Sequence, residues 1–193
     1  MSLFGHKTRL VMVGADAMDL CDSKAKYRHF DYGVVTVLVT DAAQRATFCG
    51  DDKYGAVSAH LLKEYEAMYP HVPGVQHLDY MVTSAREFTA LLAHLRPELL
   101  LVDYHMEAVA QALPEGGLSL IQAVRAQAAF RALSIVMHTP EFDHKGRDPE
   151  FVEVEGLQFW LTRRHDSDAH HCFQRDLLDK RRIAARQKHG EEV

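Results

Sequence analysis

Asp103 stands within "ELLLVDYHM" (98–106), where four apolar residues run straight into a carboxylate. A short apolar run of this kind suits a central strand of a parallel sheet, covered on both faces. In open α/β sheets the carboxyl ends of such strands are where ligands and chemistry sit. Three other positions have the same character: Asp51-Asp52 after "RATFCG", Thr139 closing "LSIVMHT", and Arg163 closing "LQFWLT". Carboxylates gathered at one point repel one another unless a cation sits among them. Mg²⁺ is the hard cation suited to an all-oxygen ligand set. With the Thr139 hydroxyl and the Arg163 guanidinium added, such a cluster could form, hold and sense an aspartyl phosphate, a form of covalent carboxylate chemistry.

The elements that must position these residues are legible as alternating patterns. "TRLVMVGA" (8–15) and "GVVTVLVT" (33–40) are β-branched runs and predict strands, and "RATFCG" (45–50) predicts a weaker one. Val57, Leu61, Leu62, Tyr65 and Met68 fall near one face of a helix over 55–69, after which "VQHLDYMV" alternates as a strand does. Ser84 and Glu87 form a capping-box pattern that opens a helix with Phe88, Leu91, Leu92 and Leu95 as its stripe. Leu118, Ile121 and Val124 carry helical spacing. "LSIVMHT" (133–139) and "LQFWLT" (157–162) predict the last strands, with a helix from about Asp168. Strands alternating with helices over 45–180 predict an α/β domain with a doubly wound parallel sheet. The right-handed crossover rule then puts 51–52, 103 and 139 on one edge. Residues 1–44 are expected to form an extension with its own strands, packed on the domain, and 181–193 a basic and polar tail.

The bulk properties are those of a globular protein. The chain has 193 residues, 47% hydrophobic and 25% charged, with a net charge of −5. That balance gives no electrostatic case for nucleic-acid binding. Three cysteines without a CxxC spacing read as free thiols in a reducing compartment, so a cytoplasmic location is expected. No stretch reaches the roughly 18 apolar residues of a membrane span, and no signal-peptide pattern opens the chain. The histidine-rich "RRHDSDAHH" lacks the convergence a transition-metal site needs, and Gly116-Gly117 reads as a loop-to-helix entry rather than a phosphate cradle.

In order along the chain, "CGDDKYGAVSAHLL", "LRPELLLVDYHM", "GGLSLIQAVR", "LSIVMHT" and "GLQFWLTRR" resemble the successive motifs of the receiver domain of bacterial two-component response regulators, over roughly residues 45–180. The resemblance implies a flavodoxin-like, three-layer α/β/α fold. It implies Mg²⁺ held by Asp51, Asp52, Asp103 and the main-chain carbonyl of His105, with Asp103 as phosphoacceptor. Thr139 would bind a phosphate oxygen, Arg163 would pair with the phosphorylated aspartate, and Trp160 would be the switch aromatic. The donor would be a histidine kinase or a phosphotransfer protein, the output a contact with a downstream protein, and a homodimer is compatible with the pattern. On this reading the chain is not an enzyme in the turnover sense.

The sequence departs from the family at defined points. Arg163-Arg164 stand where the family has Lys-Pro, and a guanidinium keeps the charge of an ammonium without its compact geometry. The loop after Asp103 is long, and "EFDHKGRDPEFVEVE" has only a weak helical stripe. "VTVLVTDAA" is an alternative strand before the acids, which would supply Asp41 alone. Two other readings stay open: a phosphorylation-independent pseudo-receiver, and an α/β metal-dependent hydrolase using His105 or His138 as general acid or base.

Overall fold

The structure is a computed structural model and describes residues 8–27, 32–68, 78–104, 106, 113, 116–139, 150–154 and 157–163. Seven strands form one sheet: β1 (Thr8–Gly14), β2 (Tyr32–Val39), β3 (Tyr80–Val82), β4 (Leu99–Asp103), β5 (Ser134–Thr139), β6 (Glu150–Val154) and β7 (Leu157–Arg163). Among the described residues five α-helices accompany them: α1 (Ala17–Tyr27), α2 (Ala42–Cys49), α3 (Ala59–Met68), α4 (Ala85–Leu95) and α5 (Gly117–Ala126). The strand order is β3-β2-β1-β4-β5-β7-β6. All neighbours are parallel except β6, which pairs antiparallel with β7 at the sheet's edge.

Period-two alternation decides which helix covers which face. Val11, Val13, Val37, Val39, Leu100 and Val102 point to one side, where Phe88, Leu91 and Leu92 of α4 and Leu120, Ile121 and Val124 of α5 meet them. Leu10, Met12, Leu38, Leu99 and Leu101 point to the other, against Leu20 and Tyr27 of α1 and Phe48 and Cys49 of α2. Strands buried on both faces read as unbroken apolar runs, as β1 and β4 do. The result is a three-layer, doubly wound α/β/α fold.

Three sequence expectations are corrected here. Residues 1–44 are not an extension beside a domain that starts at 45: β1 lies between β2 and β4 in the middle of the sheet. Its apolar residues are buried in the core, with Leu10 fully enclosed. "RATFCG" is not a strand but the end of α2. Asp41 caps that helix, its carboxylate accepting from the Gln44 amide at 2.8 Å, which satisfies an otherwise orphan donor of the first turn. The stretch "EFDHKGRDPEFVEVE", which shows only a weak helical stripe, contains a strand at Glu150–Val154. The helix expected from Asp168 lies outside the described residues. Ser84 does cap α4, accepting from the Glu87 amide at 3.2 Å, while Glu87 reaches back to the Thr83 amide at 2.8 Å.

Candidate functional site

The chain passes from β1 to β2 on one side, and β4 then lies on the other. The crevice outside the carboxyl ends of β1 and β4 is therefore the topological switch point, where open α/β sheets place their ligands. Asp103 occupies it. The end of β1 is so close that a Cβ built on Gly14 would sit 3.5 Å from the Asp103 Cβ. A shallow cleft opens between these strands and α1, with Asp19, Ser23, Asp103 and His138 as its polar lining and Met12 and Leu101 among its apolar walls.

Neighbouring strands bring two further predicted residues to the same edge. Asp103 is in register with His138, whose carbonyl accepts the Tyr104 amide at 2.9 Å. One step beyond His138, Thr139 is in register with Arg163. Asp103, Thr139 and Arg163 are thus positions on three adjacent strand ends. On the far side of Asp103, α5 starts against the outgoing chain. A Cβ on Gly117 would lie 2.4 Å from the Asp103 carbonyl oxygen, and the Gly117 amide donates to the Tyr104 carbonyl at 3.1 Å. Only a residue without a side chain permits that approach.

Asp51 and Asp52 are not brought there. They follow α2 rather than a strand, and the loop they open runs beside β3, where Ala56 bridges Tyr80 and the Met81 amide donates to the Gly55 carbonyl. β3 is three strand positions from β4, or about 14 Å at the usual strand spacing. Asp52 is also occupied. Its carboxylate accepts the Tyr54 and Ala56 amides, both at 2.9 Å. The Ala56 amide foremost, with those of Tyr54 and Gly55 and the charge of Arg45, holds it below its ordinary pKa against a smaller opposing effect of burial. This is a turn-forming carboxylate. Asp41, the alternative acid, is committed to capping α2.

The strand that precedes the site is β1, and it ends on Gly14-Ala15-Asp16. Asp16 turns its carboxylate to its own helix, accepting from the Met18 and Asp19 amides at 2.8 and 3.0 Å. That leaves Asp19 and Asp103 as the carboxylates of the cleft. Among the described residues, no three of His, Cys, Asp and Glu come together to hold a metal ion. Mg²⁺ favours an oxygen-rich octahedral shell, and the described donors do not fit it. His105 lies outside the described residues. Of the aromatic pair on β7, Phe159 is buried in the α4–α5 face while Trp160 is partly buried on the α1 face, as alternation requires. Gly14, Asp19 and Ser23 escaped the sequence reading, although "LVMVGADAMD" carries the signal of a strand running into a capped helix.

No family model matches the chain, and no curated protein does. Among solved structures, the N-terminal domain of a response regulator receiver protein from Methanoculleus marisnigri JR1 is similar at 12% identity and TM-score 0.43, over 88% of this chain and 92% of that one. A sensor protein from Polaromonas sp. JS666 is similar at 14% identity and TM-score 0.49, over 91% and 98%. The fold is flavodoxin-like. The strand order carries that statement: β2-β1-β4-β5-β7 is the doubly wound order of flavodoxin-like sheets, extended by β3 at one edge and β6 at the other. No helix among the described residues is long and apolar enough to cross a membrane.

Proposed function

We propose that this chain is a receiver-like signalling module that acts by protein–protein contact and does not depend on Mg²⁺-assisted phosphorylation of Asp103. The observation that carries this reading is the end of β1. Where an acidic pair would have to face Asp103, the chain has Gly14 and Ala15, and the next carboxylate, Asp16, caps α1. A signalling role in the cytoplasm, with a downstream protein as partner, is part of the proposal. A role without turnover is also part of the proposal.

One observation favours a second reading, in which a histidine kinase or phosphotransfer protein phosphorylates Asp103. Asp103, Thr139 and Arg163 hold adjacent strand ends, the arrangement that would let a hydroxyl and a guanidinium serve an aspartyl phosphate. A single experiment separates the two: treatment with a small acyl-phosphate donor, with and without Mg²⁺, followed by intact mass measurement. Contact-based signalling predicts no Mg²⁺-dependent phosphoryl addition. Addition that needs Mg²⁺ and disappears in Asp103→Asn would establish the second reading.

A further inference from the structure

The last parallel strand, β7, poses a register problem. Its ladder with β5 runs from Val136–Trp160 to Thr139–Arg163. Shifting a strand by one residue sends every side chain to the opposite face. In most strands the apolar pattern forbids such a slip. In "LQFWLT" it does not, because Phe159 and Trp160 are both large aromatics and each face of the sheet is an apolar layer. A slip would exchange the two rings and move Arg163 from its place opposite Thr139.

Arg125, in the last turn of α5, supplies what the pattern lacks. Its Nε and Nη2 donate to the Gln158 carbonyl at 3.3 and 2.8 Å. Its Nη1 donates to the carbonyls of Phe130, Arg131 and Leu133 at 3.0, 3.2 and 2.8 Å. The guanidinium thus ties the start of β7 to the turn that leads into β5, at the residue immediately before the ambiguous aromatic pair. Its planar fork fixes both direction and distance, which a flexible ammonium cannot do. Charge-assisted bonds of this kind are stronger than neutral ones.

We infer that Arg125 is the positioning residue that sets the register of β7. It thereby determines that Phe159 rather than Trp160 is the enclosed ring, and that Arg163 stands opposite Thr139. This holds whether or not Asp103 is phosphorylated. It also makes β6 dependent on Arg125, since β6 pairs only with β7 among the described residues.

The test uses the full chain and its single tryptophan, Trp160. Arg125→Gln should change the emission and acrylamide quenching of Trp160. It should speed amide exchange over 150–154 and 157–163 by at least about tenfold, the effect of losing bonds worth more than about 1.4 kcal/mol. Exchange in β1 and β2, remote from Arg125, should change by less than about threefold. Arg125→Lys keeps the charge and some donors, so it should show the same local pattern at smaller amplitude, and it serves the purpose should Arg125→Gln not fold. Wild-type Trp160 quenching in either folded variant, or acceleration spread evenly over all strands, would overturn the inference.

Discussion

Removing the ammonium of Lys24 should destabilise the fold by less than removing its partner carboxylate, Asp79. Lys24 lies on α1 with 7% of its side chain exposed, and its Nζ is 2.5 Å from the Asp79 Oδ2. Asp79 precedes β3, is 36% exposed, and accepts two further bonds at 2.9 Å from the Thr36 amide and hydroxyl. The two ends therefore face different environments. In Lys24→Met the abandoned carboxylate keeps both Thr36 donors and reaches water, so the loss should be about 1–3 kcal/mol. In Asp79→Asn the enclosed ammonium loses the charge of Asp79, and breaking a buried pair in this way costs about 3–5 kcal/mol. The double variant should recover part of the sum, with a coupling of about 1–3 kcal/mol. Urea titrations of the four proteins give these values directly. If Lys24→Met costs as much as Asp79→Asn, or if the single losses add in the double variant, the reasoning from unequal burial is wrong.

Other expectations follow from the site and its surroundings. Gly117→Ala should lower stability by about 1–3 kcal/mol in the same titration, because the new methyl meets the Asp103 carbonyl and the backbone there must shift. Asp52→Ala should loosen the 52–56 turn, seen as faster exchange at the Tyr54 and Ala56 amides, and leave the behaviour of Asp103 towards phosphodonors unchanged. Burial pushes the Cys49 thiol from its ordinary 9.0 up to about 11, so iodoacetamide at pH 8 should label it far more slowly than in urea. The unfolded thiol ionises first as pH rises. The stability that Cys49 contributes is therefore whole below about pH 9 and lost as pH climbs through about 11.

The apolar runs made the sheet legible. β1, β2, β4 and β5 carry buried residues on both faces, and a stretch rich in Leu, Val and Ile has few other places to go. The boundary at residue 44 failed because it rested on a resemblance that placed the first strand at "RATFCG". Phe48 and Cys49 look strand-like there, yet they fill a helix face against the core. The pattern Asp41-x-x-Gln44, which opens that helix, was present in the sequence and outweighs the propensities that follow it. With that strand gone, the acidic pair it was meant to position went to the far edge of the sheet. Asp103, Thr139 and Arg163 were readable because each ends a strand that does exist. Asp19 and Ser23 were not, since they meet the cleft only through the packing of α1. The Arg125 contacts were beyond any periodicity argument, because the carbonyls of Phe130, Arg131 and Leu133 and that of Gln158, far apart in sequence, converge only in the folded chain.

The most direct measurement of the central claim is intact-mass analysis of the wild type beside Gly14→Asp/Ala15→Asp, each exposed to an acyl-phosphate donor with and without Mg²⁺. A Cβ at Gly14 would meet Asp103 and Leu20 at ordinary contact distance, and the double variant places two carboxylates at the end of β1. The account predicts no Mg²⁺-dependent phosphoryl addition to the wild type and a gain of addition in the variant. Mg²⁺-dependent phosphorylation of wild-type Asp103 would contradict it.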